Sequence, residues 1–404
     1  MNKGALAGVR IADFSWTWAG PFATMLLGLM GAEVIKIESH QRVDQSRQGS
    51  FTTTQDFSGV DQSTVFNDLN QNKLSASLNL SQPKAIELAK RIISLSDVVI
   101  ENMRPGVMDR LGLGYHALRG VKPNIIMLSS SACGARGPER HYVGYAPTFA
   151  AMGGLTYITG YPDAVPTWLA GPIDLRSAVT AAFAILAALY HLQKTGQGQY
   201  IDFSSREAIS VLMGDILLDY EMNGRVQSRQ GNRHTFMAPH NCYRCRGVDK
   251  WVSIAVATDD EWRALCRAMG HPEWDTEARF ADTLSRWRNQ DELDRMIAAW
   301  TAEHTHYEVM EVLQRVGVAA APSLNGEELY HDPHARERGM FATVKHPVIG
   351  ERIVVTPPWK MSGTPPRIER PAPLLGQHNG CVFVDLLGMS PEEVACLKEE
   401  GTIN

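Results

Sequence analysis

The chain is poor in cysteine. Six residues in 404, Cys133, Cys242, Cys245, Cys266, Cys381 and Cys396, are too few and too scattered for a disulfide framework and read as reduced thiols. Cys242 and Cys245 alone have a suggestive spacing, in CYRC. No second pair of ligands accompanies them, so no metal is expected and their role reads as structural or incidental. A large charge imbalance is also missing. The formal net charge of −5 argues against a general nucleic-acid binder, while leaving room for a local basic pocket. No apolar run reaches the ~20 residues of a membrane span. The longest candidate, residues 178–193, is mostly alanine interrupted by Thr180 and His191. It reads as a buried helix whose small side chains let neighbours approach closely, and no membrane partner is expected. The N-terminal MNKGALAGVRIADFSW has no apolar core ahead of a small-residue cleavage site, so no signal peptide is read and the cytoplasm is the expected location.

What is present is ordinary globular texture, 44% hydrophobic and 21% charged, over a length that favours two domains. VRIADF and EVIKIE are β-rich runs flanking a helical FATMLLGLMG with Gly31 as its stop, which makes a βαβ unit and implies a parallel sheet. Glu38 at the end of the second run imitates the ribose ligand of a dinucleotide site. The first loop, however, is SWTWAGP and carries no G-x-G-x-x-G phosphate cradle. A helix in AIELAKRIISLS, strands in DVVIEN, NIIMLSSSA and QYIDFSS, and a helical REAISVLMGDILLDYEMNG continue the α/β alternation. From about Arg225 the texture changes to loop and strand, then to three amphipathic helices in DDEWRALCRAMG, QDELDRMIAAWTAEH and HYEVMEVLQRVG, which suggests a smaller inserted domain. A proline-rich stretch follows, and then a helix with Ser390 as N-cap and Pro391 at its first position.

One acid, Asp174, stands just ahead of the alanine-rich run. An aspartate there serves as an N-cap or dipole partner, whose removal would cost ~1 kcal/mol, or as a nucleophile toward an activated acyl group. Local sequence leaves both readings open.

The motifs GVRIADFSWTWAGPFATMLLGLMGAEVIKIE, LNQNKLSASLNL, ENMRPGVMDRLGLGY, GPIDLRSAVTAAFAILAALYHLQKTGQGQYIDFS, GNRHTFMAPHNCYRCRG and PAPLLGQH occur in this order. Together they resemble the class III CoA-transferases, the group of formyl-CoA transferase, carnitine CoA-transferase and the α-methylacyl-CoA racemases, from about residue 7 to 379. The resemblance implies an α/β fold with a Rossmann-like large domain built from both chain ends (residues 1–224 and 335–404). A small α+β domain (225–334) is inserted, and two chains interlock as a dimer. It implies Asp174 as the nucleophile, acting through an aspartyl anhydride and an aspartyl-CoA thioester, with a coenzyme A thioester as substrate and no tightly bound cofactor.

Carried over motif by motif, Trp18, Ala19, Lys73, Leu78, Asn79, Asn102, Met103, Arg104, Arg110 and Tyr145 are expected to bind CoA. Trp16, Trp18, Phe22 and Trp168 are expected around the acyl group. The chain departs from the formyl-CoA transferase branch at Trp18 (a glutamine there), Ser39 (a basic residue, for which His40 or Arg42 would substitute) and Val143 (a lysine). The racemase branch has GHD where this chain has GYA, so Tyr145 replaces the histidine that racemisation uses. The tryptophans suit a bulky acid with polar ends, an aromatic or dicarboxylic acceptor as in the benzylsuccinate CoA-transferase branch, with succinyl-CoA as donor. The alternatives are a 2-methylacyl-CoA racemase and a noncatalytic subunit supporting a homologous partner. The expected assembly is a homodimer or a heterodimer with a related subunit.

Overall fold

A computed structural model describes residues 4–48 and 59–403. The reading of the N-terminus rests in part on residues 1–3, which lie outside them. The chain divides into two compact units, one of Met1–Thr156, Trp168–Gly224 and Glu337–Asn404, the other of Tyr157–Thr167 and Arg225–Arg336.

The first unit is organised by six strands: β1 (Arg10–Asp13), β2 (Glu33–Glu38), β3 (Leu74–Ser77), β4 (Val98–Glu101), β5 (Ile126–Ser131) and β6 (Tyr200–Ser204). They lie in the order β3-β2-β1-β4-β5-β6, and every neighbouring pair is parallel. Successive residues feed opposite faces. Ala12, Ile35 and Val99 enter one core with the helix Pro83–Ser94, while Ile11, Val34, Val98 and Ile100 enter another with the helices Ala19–Leu29 and Gly171–Thr195. Both faces are therefore covered, which is why these strands read as unbroken apolar runs. The strand order reverses between β1 and β4, and a crevice opens there at the carboxyl ends of the strands.

The helix Gly171–Thr195 is long and apolar enough to span a membrane by length and composition. It buries a single stripe, Ile173, Ser177, Ala178, Ala181, Ala182, Ile185 and Ala188, against the sheet side of the unit. Val179, Phe183, Leu186 and Tyr190 on its other side are exposed, Phe183 at 72%. Burial on all sides, expected from its composition, is thus absent in the single chain. The helical stretch after β6 is broken by a 3-10 turn at Val211–Met213.

The strand β3, not foreseen, has all four residues buried, serines included. Its exposed edge is taken by the returning chain: Ser77 N donates to Asn379 Oδ1 (2.9 Å), Ser75 N to His378 Nδ1 (3.1 Å), and Gly376 N to Ser75 Oγ (2.9 Å). Covering an edge strand in this way removes a site of unwanted pairing.

In the second unit, β7 (His240–Arg244), β8 (Trp251–Ala255) and β9 (Ala319–Pro322) form an antiparallel sheet. Against it pack the helices Asp259–Ala268, Gln290–Thr301 and His306–Arg315 through Trp262, Leu265, Leu293, Ile297, Val309 and Leu313. Tyr157–Thr167 joins this unit through Gly231 N to Gly160 O (2.8 Å) and Arg229 Nε to Tyr161 O (3.2 Å), a membership that no change in composition marks. Cys245 is buried in this core, and Cys242 is half-buried. In the returning segment, β10 (Phe341–His346) and β11 (Gly350–Val355) form a hairpin that the sequence reading does not contain. The final helix, Pro391–Glu399, is capped by Ser390, whose hydroxyl accepts from Glu393 N.

Candidate active site

A cleft of about 860 Å³ opens over the carboxyl ends of the parallel strands. Its wall is supplied by the segments that leave those ends: Trp16–Ala19 after β1, Arg42 to Gln48 after β2, Asn102 to Val107 after β4, Ser130 to Phe149 after β5, and Ser205 after β6. The helix Gly171–Thr195 contributes Asp174.

Asp174 is the fourth residue of that helix and does not cap it; Ala170 holds the cap position, with no side-chain bond. The expected N-cap role is therefore replaced by a place inside the first turn. Among the described residues its carboxylate has no hydrogen-bond or ion-pair partner, and burial pushes its pKa up to about 6. Among the described residues it is the one acid that lines the cleft, and no histidine among them lines it. Two arginines do, Arg42 and Arg104, both exposed.

The wall of the cleft is fixed by side chains that turn inward to hold backbone. Asn102 accepts from Trp16 N and donates to Trp16 O, both at 2.8 Å, so its amide is engaged with the loop. The Arg42 guanidinium lies 4.9 Å over the Trp16 ring, a cation–π contact that fixes the outer face of that indole. Gly144 cannot be larger, because a Cβ there would come within 2.8 Å of the Phe149 ring. Tyr145 beside it is 67% exposed, with its N–H donating to Thr148 Oγ1 (2.8 Å). Ser131 lines the wall, and its Oγ is buried without a hydrogen-bond partner among the described residues.

Of the residues singled out from the sequence, Asp174, Trp16, Trp18, Ala19, Asn102, Met103, Arg104 and Tyr145 meet at this cleft. The others do not line it. Lys73 is completely buried, its ammonium 3.0 Å from Asp13 Oδ2 and 2.8 Å from both Pro21 O and Asn70 Oδ1, so no ligand reaches it. Leu78 is core, fully enclosed with the helix Pro83–Ser94. Asn79 is tied to the chain's end, its N–H donating to Thr402 O (2.9 Å) while its Oδ1 accepts from Ser81 Oγ (2.6 Å). Arg110 is exposed outside the wall, Phe22 packs into the core beneath the helix Ala19–Leu29, and Trp168 is 77% exposed. The sequence reading did not name Gln45, Gln48, Ser130, Ser131, Tyr142, Phe149 or Ser205, which also line the cleft. Their signal was positional, since each lies at the carboxyl end of a strand of the parallel sheet or in the segment that follows one.

Comparison with known proteins agrees with this architecture. Residues 6–379 match CoA-transferase family III. The succinyl-CoA–D-citramalate CoA-transferase of Chloroflexus aurantiacus is 35% identical over 399 residues, 98% of each chain. The beta subunit of succinyl-CoA–L-malate CoA-transferase from the same organism is 32% identical over 407 residues, again 98% of each. The crystal structure of a CAIB/BAIF family protein from Brucella suis superposes with a TM-score of 0.85 at 26% identity, over 96% of this chain and 100% of that one. With its parallel sheet, its cleft at the strand ends and a match over nearly its whole length, this chain belongs to CoA-transferase family III and is a CoA-transferase.

Proposed function

We propose that this enzyme moves CoA from succinyl-CoA to a dicarboxylic acid of four or five carbons, with Asp174 as the covalent nucleophile. The observation that carries the reading is a lone carboxylate, desolvated and unpartnered, in a cleft whose only other charged lining residues among those described are two arginines. Both relatives described above use succinyl-CoA with a hydroxylated dicarboxylate, by their names. The aromatic acceptor loses support in the same geometry, because Phe22 and Trp168 stand away from the wall and leave Trp16 and Trp18 alone of the four.

Asp174 Oδ attacks the thioester carbonyl, and the C–S bond breaks to give a succinyl-aspartyl anhydride and CoA thiolate. The thiolate attacks the aspartyl carbonyl, releasing succinate and leaving an aspartyl-CoA thioester. The acceptor carboxylate then displaces the thiolate to form a second anhydride, and the thiolate takes the acceptor's acyl carbon, restoring the Asp174 carboxylate. A carboxylate with a pKa near 6 is still ionised at neutral pH and is more basic than an ordinary aspartate, which suits attack on a thioester. Arg104 and Arg42 are suited to the phosphates of CoA, and keeping CoA bound holds its thiolate near the anhydride at high effective concentration.

Racemisation would need an acid and a base on opposite sides of the α-carbon. Among the described residues the cleft wall has no imidazole, and by the motif resemblance Tyr145 takes the position of the racemase histidine. The exposed apolar stripe Val179, Phe183, Leu186 and Tyr190 supports assembly into an interlocked dimer of identical chains, each with a Rossmann-like large domain made from both chain ends. An enzyme of this kind, with water-soluble substrates, fits the cytoplasm.

The test is a reaction of purified protein with succinyl-CoA and a panel of acids, read by mass analysis of the CoA products. Malate, citramalate or mesaconate should accept CoA ahead of benzylsuccinate, formate or oxalate. Donor followed by hydroxylamine should modify Asp174 alone. Hydrogen exchange at the α-carbon of a 2-methylacyl-CoA without CoA transfer would overturn the assignment.

A further inference from the structure

The loop after β1 is unusual in how its backbone is held. Ser15 N donates to Asp13 Oδ1 (2.9 Å), and Ser15 O accepts from Lys36 Nζ (2.7 Å). Trp16 N and O are both taken by Asn102, and Thr17 N donates to Asp44 Oδ1 at 3.0 Å. Five consecutive backbone polar groups are therefore bound by side chains from four other places in the chain. Asp44 is 3% exposed, with its Oδ2 3.2 Å from Lys36 Nζ and its Oδ1 accepting from Ser46 N (2.9 Å) and Ser46 Oγ (2.8 Å). Of these side chains Asn102 also lines the cleft, whereas Asp13, Lys36, Asp44 and Ser46 reach it only through the loop they hold.

Thr17 has φ +70, a left-handed conformation that a β-branched residue adopts only under constraint. A threonine released from that constraint returns to negative φ and swings its neighbours. Those neighbours are Trp16 and Trp18, both on the cleft wall. Strain of this kind persists where surrounding bonds over-determine the backbone, and here the bond at the strained residue itself comes from Asp44.

We propose that Asp44 is a positioning residue of the CoA cleft: its carboxylate holds Thr17 in the left-handed conformation and thereby sets Trp16 and Trp18 as the wall against which the thioester substrate binds. This rests on the reading of the cleft as the CoA site. It adds a specific mechanism, in which Lys36 and Ser46 orient the carboxylate, the carboxylate fixes one backbone N–H, and that N–H fixes two indoles.

The mechanism predicts that the importance of Asp44 depends on the residue at 17. Glycine adopts positive φ without the steric penalty, so a Thr17→Gly background has little need of the tether. The experiment measures CoA affinity by calorimetry, and kcat and KM for succinyl-CoA, in four full-length proteins: wild type, Asp44→Ala, Thr17→Gly and the double variant. Removing Asp44 should weaken CoA binding and raise KM at least tenfold when Thr17 is present, and less than threefold in the Thr17→Gly background, with kcat changed less than KM in both. Equal losses in the two backgrounds overturn the proposal, as does wild-type affinity in Asp44→Ala. If Asp44→Ala does not fold, Lys36→Met with Asp44→Leu, which leaves no buried charge unpaired, replaces it with the same expectation. CoA affinity is read without turnover. A wild-type protein that binds CoA but transfers it to no acid would therefore count against the proposed reaction, while the background dependence still decides the role of Asp44.

Discussion

Asp13 and Asp174 are both withdrawn from water, yet they end on opposite sides of the ordinary aspartate range. At Asp13 burial pushes upward, but the ammonium of Lys73, then that of Lys36, and the hydroxyls of Ser15 and Thr24 outweigh it and hold the carboxyl at about 2. At Asp174 burial acts alone and leaves the carboxyl at about 6. The first acid is saturated with partners and serves as part of the frame beneath the cleft. The second has none, so its lone pairs and its charge remain available to a substrate. In one protein the same side chain is made inert or reactive by what is placed beside it.

The sharpest way to break the comparison is to remove the unpartnered acid. Asp174→Ala is expected to lower the transfer rate by on the order of 10⁴-fold or more, since among the described residues no other carboxylate lines the cleft to carry the acyl group. Circular dichroism and the melting curve should remain those of a folded protein. Substantial transfer by that variant would remove Asp174 from the mechanism.

Removing a partner from the saturated acid should instead damage the fold. Lys73→Met leaves Asp13 in a fully buried site without its nearest cation, which costs about 3–5 kcal/mol. Urea denaturation should show this as a large drop in midpoint. A variant with unchanged stability and a raised KM for CoA would return Lys73 to the binding site that the resemblance assigned it.

That reversal shows which parts of the site were legible. Asn102, Met103 and Arg104 were readable together because a short contiguous motif after a strand stays together in the fold. Asp174 was not decided by its local sequence, where Arg176 follows two positions later and a helix-start role fits equally well; the order of motifs along the whole chain singled it out. Lys73 was misleading for a physical reason. Its partner Asp13 lies sixty positions away, and the LSAS strand alternates apolar residues with serines, a pattern that marks one buried face and hides that all four residues are buried. The hairpin of β10 and β11 was hidden similarly, by a strand whose outer residues are exposed and by the proline in KHPVIG at its turn. Pairings between distant segments, and the depth at which a polar residue ends, are properties of the assembled sheet and leave little trace in local pattern.

Arg104 gives a smaller and more specific effect. Arg104→Ala should raise the KM for CoA donors about tenfold or more with little change in kcat, the loss of a charge-assisted phosphate contact being worth roughly 1.5–3 kcal/mol. The wild-type KM should rise with salt and the variant's less so, because a screened contact has been removed. Steady-state kinetics at two ionic strengths would decide it. A change in kcat alone would move Arg104 from binding the nucleotide to the chemistry.

The subtlest expectation separates the two acids by pH. With Asp174 as the proposed nucleophile, transfer needs it ionised, and kcat/KM for the donor should fall as pH drops through about 6, approaching tenfold per unit below it. Stability should move the other way. The folded pKa is raised from 3.8 to about 6, so between these values the native state binds a proton that the unfolded state does not, and stability declines as pH rises through that window. Above pH 6 the full cost of a desolvated carboxylate is present. The shift corresponds to at most about 3 kcal/mol, and partial exposure of Asp174 to solvent reduces it to roughly 1–2 kcal/mol. Asp174→Asn removes that cost while keeping the shape of the side chain, so at pH 7.5 the variant should melt about 1–2 °C above wild type. At pH 3 or below, under both values, the wild-type carboxyl is largely protonated in both states and the advantage should vanish. Thermal melts of the two proteins at both pH values test this. If the asparagine variant melts below wild type at pH 7.5, the carboxylate stabilises the helix start, and the contrast with Asp13 is one of degree rather than of kind.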